Sequence, residues 1–283
     1  MSKPNPIFKD AWTLLHKKSK DTHTIITFCE KLDQALGGGI HLGHVTELAG
    51  PASIGKTQIC MQLAVDVQFP KPFVGVNGKA VYVDTEGSLK SKRLEQIAKA
   101  AVEHVNEIAS SPELQAAASK FTVESVLAGI YVKRCLDLPS LTETIEGLGC
   151  LIQFDPKIKL VIVDSLAFHF RDDQLPDREL RRLLLRAVAS LVHLAVKSNV
   201  AVVVVNQMTT RPLGGDESYD EPSLNEILTR NAANQIILGW KKRKNTVSNE
   251  SLSIDRCALL YKSSHRPRAL ALFQICADGI RDL

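Results

Sequence analysis

Residues 45–49 form an apolar run that leads into Gly50-Pro51-Ala52-Ser53-Ile54-Gly55-Lys56-Thr57, and a helical pattern follows to residue 68. This is G-x-x-x-x-G-K-[ST] set between a strand and a helix. Backbone N–H groups of such a loop cradle phosphate oxygens, and the N-terminus of the next helix adds positive dipole. Lys56 is placed to reach the β- and γ-phosphates of a nucleotide, and the Thr57 hydroxyl to hold Mg²⁺. Gln58 completes the set of binding candidates. ATP and Mg²⁺ are the expected ligands.

Three further positions fit that chemistry. Residues 160–164 are an apolar strand ending in Asp164, a carboxylate for the Mg²⁺ side. Residues 80–84 end in Asp84-Thr85-Glu86, and a parallel strand delivers such groups to the edge that holds the phosphates. Glu86 is the candidate general base that orients and activates the attacking water. Gln207 follows the run 201–205 and reaches the same edge, where a neutral amide can register a γ-phosphate.

The apolar runs 45–49, 80–84, 160–164 and 201–205, with a weaker one at 130–135, alternate with helical stretches at 56–68, 91–109, 140–153 and 177–197. Continuous apolar strands are those buried on both faces. The alternation predicts an α/β fold with a mostly parallel central sheet flanked by helices. Beyond residue 205 the pattern changes to strand-like segments at 236–240, 256–261 and 269–275, read as an antiparallel C-terminal extension. Residues 110–120 are expected to be a surface connection. Residues 208–223, with Pro212, Gly214, Gly215 and Pro222, are a poor candidate for packed structure.

With 45% hydrophobic but only 5% aromatic residues, the core must rest on Val, Leu, Ile and Ala. The net charge of +4 is too mild to argue nucleic-acid binding without clustering. Arg178, Arg182 and Arg186 recur every four residues and share a helix face, with Arg171 ahead of them. They are the DNA-binding candidates, against the alternative of a solvated basic face. Lys241-Lys242-Arg243-Lys244 reads as a hairpin end or a nuclear import signal. No apolar run reaches the roughly 18 residues of a membrane span. Cys60, Cys150 and Cys276 sit among apolar neighbours and are expected to be reduced, buried thiols, which suits an intracellular compartment.

In this order the motifs resemble the RecA-like recombinase family in its eukaryotic and archaeal branch, over roughly residues 25–282. The matching pieces include residues 27–33 with Gly37-Gly38-Gly39, then Asp84–Ser88, Lys92-Arg93-Leu94, Asn206–Thr210 and Ala277-Asp278-Gly279. Residues 25–29, 60–68 and 206–210 are most similar to the mediator paralogues of that family, in their C branch. The resemblance implies a RecA-like ATPase domain over 25–283, with 1–24 as a linker or interaction segment. The small helical domain that precedes the core in the family has no counterpart, so the chain is expected to be the core alone. Lys56 and Thr57 would bind phosphate and Mg²⁺, Asp164 would hold the metal's water shell, Glu86 would be catalytic and Gln207 a γ-phosphate sensor. Arg93 would stack on adenine. Phe8 and Ala11 match an F-x-x-A element that plugs into a neighbouring subunit, although Phe8, Trp12 and Leu15 also fit a stripe packed on the chain's own core.

Where the family has glycines and a histidine coupling ATP to DNA, this chain has Leu224, Asn225 and Arg230, and Gln235 replaces an arginine. Near the family's cap over a neighbour's nucleotide, acid gives way to Ser263-Ser264-His265-Arg266-Pro267-Arg268. The expected function is therefore an ATP-binding, weakly hydrolysing, DNA-dependent ATPase of homologous recombination. It would act as a nuclear repair mediator with recombinase paralogues, the main recombinase and single-stranded or branched DNA. A self-assembling strand-exchange recombinase, a non-catalytic assembly subunit and a hexameric helicase core are the alternatives.

Overall fold

The computed structural model describes residues 23–170, 176–214, 217–243 and 253–283. A small antiparallel pair, β1 (Thr24–Ile25) and β2 (Ile40–His41), brackets helix α1 (Glu30–Leu36). The main sheet takes β3 (Val45–Gly50), β4 (Lys79–Asp84), β5 (Ile130–Arg134), β6 (Ile158–Asp164) and β7 (Ala201–Gly214). After β8 (Glu217–Pro222) come β9 (Asn234–Arg243), β10 (Ser253–Ser263), β11 (Ala269–Cys276) and β12 (Gly279–Asp282). The order is β5-β4-β6-β7-β3-β9-β10-β11-β12, with β8 attached to β7. Pairing is parallel from β5 through β9 and antiparallel from β9 to β12. This is the RecA-like α/β architecture, with the antiparallel extension the sequence predicts.

The sheet's two faces explain its unbroken apolar strands. Successive side chains of a strand point to opposite sides. Leu160 and Ile162 of β6 accordingly join a core with α2 (Lys56–Asp66) and α3 (Ser91–Ile108), through Cys60, Leu63, Ile97 and Ala101. Val161 and Val163 face α6 (Leu138–Phe154) and, after the short α7 (Leu166–His169), α8 (Asp177–Ser198), through Leu141, Leu148, Leu184 and Leu191. A leucine as buried as Leu191, 1% exposed, contributes about 1.5–3 kcal/mol. Helix α8 ends where Asn199 turns left-handed, at φ 49°, a conformation asparagine tolerates at a C-terminus.

Three expectations need correction. Residues 110–120 are not merely a surface connection, because α4 (Pro112–Ala118) forms there, with α5 (Val123–Ala128) next. The Ser111 hydroxyl accepts from Leu114 N–H at 3.3 Å and Pro112 opens the first turn, a local start signal followed by good helix formers. Residues 208–223 are also structured: β7 runs on to Gly214 and pairs antiparallel with β8, Met208 opposite Pro222 and Thr210 opposite Asp220. A two-stranded ribbon closes on backbone hydrogen bonds, so an apolar-run reading misses it. Finally, Cys60 is buried as expected, but Cys150 is exposed and Cys276 half-buried. Cys150 lies beside Gly149, whose Cβ position meets nothing within 4 Å, on the outward face of α6. All six cysteines are free thiols. Residues 241–243 of the basic run finish β9, with Lys244 outside the described residues. None of the described helices is long and apolar enough to cross a membrane.

Candidate nucleotide site

Parallel pairing aligns the C-terminal ends of β3, β4 and β6 with the middle of β7 along one edge. Gly50 pairs with Gln207 and Asp84 with Asp164. The loop leaving β3 must be glycine at two points. A Cβ on Gly50 would lie 2.9 Å from Leu238 O, and Gly55 has φ 116° with Ile275 Cδ1 2.5 Å from its Cβ position. Helix α2 starts at Lys56 with no side-chain cap and no acidic residue in its first turn, so its N–H dipoles suit an anion. Residues 50–53 and 55–58 line a cavity of about 670 Å³ together with Glu86, Asp164, Gln207, Met208, Arg256 and Ile275. That volume is ample for a small-molecule ligand.

Lys56 donates from Nζ to the loop's own carbonyls, Gly50 O at 2.7 Å and Pro51 O at 2.8 Å. Asp164, 2% exposed, accepts on Oδ2 from Thr57 Oγ1 at 2.8 Å, from Tyr82 OH at 2.7 Å and, more weakly, from Ser88 Oγ at 3.4 Å. Burial pushes its carboxyl above the usual range, opposed by the Tyr82 and Thr57 hydrogen bonds and reinforced by the charges of Glu86 and Asp84. Acids crowded in this way favour a cation among them. No three His, Cys, Asp or Glu side chains among the described residues form a metal cage. One hydroxyl and one carboxylate instead suit Mg²⁺, which retains waters and takes phosphate oxygens as its other ligands.

Asp84 holds the turn after β4: its Oδ1 accepts from Gly87 N–H at 2.8 Å and pairs with Arg134 Nη1 at 3.0 Å. Exposed Glu86 stands at the rim, where Oε1 accepts from Ser165 Oγ at 2.5 Å and Gln207 Nε2 at 2.6 Å. The expected residues Lys56, Thr57, Asp164, Glu86 and Gln207 thus converge. Ile54 of the loop is fully buried. Arg93 lies outside the cavity lining. It ties three elements together, donating to Gln58 Oε1 at 2.8 Å, to Cys276 O at 2.6 Å and to Ala277 O. Arg178, Arg182 and Arg186 are exposed on α8 and do not reach the cavity; Arg186 pairs with Glu146 of α6 at 2.9 Å. Arg171, Phe8 and Ala11 lie outside the described residues.

Sequence reasoning missed Tyr82, Ser165, Arg256 and Ile275. Tyr82 and Ser165 adjoin recognised residues, but neither Arg256 nor Ile275 belongs to any local motif; they arrive by strand pairing far along the chain.

The Rad51 family model matches residues 18–283. The chain belongs to the Rad51 family. It is 40% identical over 262 residues to DNA repair protein RAD51 homolog 3 of Cricetulus griseus, covering 91% of this chain and 68% of the relative. Identity to DNA repair protein RAD51 homolog 3 of Dictyostelium discoideum is 34% over 275 residues, 96% and 69% of the two chains. DNA repair and recombination protein RadA of Aeropyrum pernix is 35% identical over 279 residues, 97% and 78%. This is therefore a Rad51-family recombination protein related to the RAD51 paralogues, and membership of a family of ATPases gives it a potential ATPase activity.

Proposed function

We propose that the protein binds ATP with Mg²⁺ in the cavity at the C-terminal edge of the sheet, hydrolyses it slowly, and works as a nuclear recombination mediator among paralogue subunits on single-stranded DNA. The observation that carries the reading is the joint placement of the phosphate loop, the Thr57–Asp164 hydrogen bond and Glu86 around one cavity. Lys56 would turn from Gly50 O and Pro51 O to the β- and γ-phosphates, while the uncapped amides of α2 hold their oxygens. Thr57 and Asp164 would hold Mg²⁺, which supplies charge neutralisation at the phosphates. Glu86 would orient the attacking water and take its proton at a carboxylate oxygen. Gln207, bonded to Glu86 at 2.6 Å, would move with the γ-phosphate and pass its loss to the hairpin of β7 and β8. Arg93 would face the base from α3, and Arg171, Arg178, Arg182 and Arg186 would meet DNA phosphates. Phe8 and Ala11 would dock into a neighbouring paralogue, one ring filling an apolar pocket.

A specific feature supports hetero-assembly over a self-stacking filament. The loop after β10 is basic and rests on its own chain: Arg266 Nη2 donates to Gln34 O at 3.3 Å, and His265 packs edge-on against His41 at 4.6 Å. ATP turnover measured with and without single-stranded DNA, alongside the mass from light scattering, tests the reading. Slow turnover from a monomer or small oligomer agrees with it. Tight binding without turnover leaves an assembly subunit, and long polymers with fast turnover leave a strand-exchange recombinase.

A further inference from the structure

We propose that Arg256 is a phosphate-binding residue of this site, supplied by the antiparallel extension; the inference rests on the reading of the cavity as an ATP site. Strand β9 pairs with β3 from Thr46 to Ala49 and then runs on past the phosphate loop. Strand β10 follows it back, setting Arg256 directly opposite Trp240. The Arg256 guanidinium lies over the Trp240 ring, 4.7 Å from its centroid, and Nε donates to Ile54 O at 3.2 Å. The side chain lines the same cavity as Lys56 and Thr57.

Two consequences follow from that placement. The carbonyl and N–H of one trans peptide point in opposite directions, so holding Ile54 O toward Arg256 turns the Gly55 N–H away from it and fixes that part of the loop. Charge gives the second. The described lining carries the acids Glu86 and Asp164 and the cations Lys56 and Arg256. With Mg²⁺ held by Thr57 and Asp164, Lys56 would without Arg256 be the lining's one side-chain cation for the polyphosphate. Arginine carries five N–H donors in a planar fork suited to phosphate oxygens, and one of the five is committed to Ile54. Stacking on Trp240 fixes the plane of that fork before a ligand arrives, which lowers the ordering needed on binding.

The test compares the whole chain with R256M, R256K and W240L. It measures displacement of a fluorescent ATP analogue by ATP and by inorganic tripolyphosphate, and the melting temperature of each protein without nucleotide. Expected is a loss of about ten- to a hundred-fold in R256M, equal for both competitors, as for a charge-assisted hydrogen bond. R256K should recover part of it, W240L should lose only a few-fold, and the nucleotide-free melting temperatures should stay close to the parent's. Parental affinity in R256M overturns the proposal, as does a loss for ATP that spares tripolyphosphate. A loss that simply follows a lowered melting temperature and is not relieved in R256K also overturns it, assigning Arg256 to stability alone. Should R256M fail to fold, R256K and W240L decide by the same two competitors. A parent that binds neither ligand removes the ATP reading itself, and the Arg256 proposal with it.

Discussion

Gln207 donates from Nε2 to Oε1 of Glu86 at 2.6 Å, joining the strand that continues into the hairpin to the carboxylate beyond β4. Because the same oxygen also accepts from Ser165, Glu86 is aimed by two donors rather than left to rotate at the rim.

Glu86→Gln keeps the size of the side chain but removes the base. ATP affinity should stay within about three-fold of the parent, and turnover should fall by about 10²–10⁴. Lys56→Ala should instead abolish ATP binding, since the cation placed to meet the β- and γ-phosphates is lost from the loop. Equilibrium binding and phosphate release, measured on both variants, separate the roles. Parental hydrolysis by Glu86→Gln would transfer the base role to another residue.

Glu47 is fully buried in β3 and accepts from Asn206 Nδ2 at 2.7 Å, Thr229 Oγ1 at 2.9 Å and Gln235 Nε2 at 3.0 Å. Burial pushes its carboxyl upward, against the pull of those donors and of Lys262. Glu47→Ala strands several buried donors at once and should destabilise the protein by at least about 3 kcal/mol. Urea unfolding measures this, and a loss below about 1 kcal/mol would mean that water replaces the carboxylate freely.

His41, His44 and His265 pack with ring centroids 4.6–5.7 Å apart. Burial, and repulsion from their charged neighbours, push His44 and His265 below 6.5. Unfolded, these rings bind protons that the fold refuses, so their contribution to stability is lost as pH drops below about 6.5. Asp33, pushed up to about 6 by burial, has the opposite slope between its ordinary value of 3.8 and 6, where the fold holds more protons than the unfolded chain. Comparison of the parent with His44→Ala isolates the histidine part. Between about pH 7.5 and 5.5 the melting temperature of the variant relative to the parent should rise as pH falls, since the histidine penalty is removed while the buried acids are unchanged.

Arg178→Ala/Arg182→Ala removes two exposed cations from the first turns of α8 without touching its buried face. If both meet DNA phosphates, the slope of log affinity against log salt for single-stranded DNA should fall by about two. An unchanged slope would mean a solvated helix face. Arg186, already paired with Glu146, should contribute less than either.

The parallel half of the fold was legible because the strands at 80–84, 160–164 and 201–205 are apolar on both faces and the phosphate loop is local in sequence. Residues 45–50, 80–84 and 160–164 carry their own labels, and parallel order alone sends Asp84 and Asp164 to the loop. The hairpin was not legible, because Met208–Pro222 pairing rests on backbone groups that every residue shares. Arg256 was hidden for a different reason: two strand pairings bring it to Ile54 from 202 residues away, and no local window contains both. Cys150 was misread because apolar neighbours along a helix need not share its face.

Strand β7 runs from Ala201 to Gly214, with Gln207 midway along it and a register shift only between Pro212 and Gly214. The outer half spans roughly 23 Å at about 3.3 Å per residue, and its inner half is clamped between β3 and β6. Such a beam has its fulcrum at the phosphate edge. A pivot of only about 5° at Gln207 would sweep the far end through roughly 2 Å, enough to make or break contacts there. On the proposed ATP reading, small events at the nucleotide would thereby be magnified mechanically at the tip, and a load on the tip would be felt at Glu86 through the same arm.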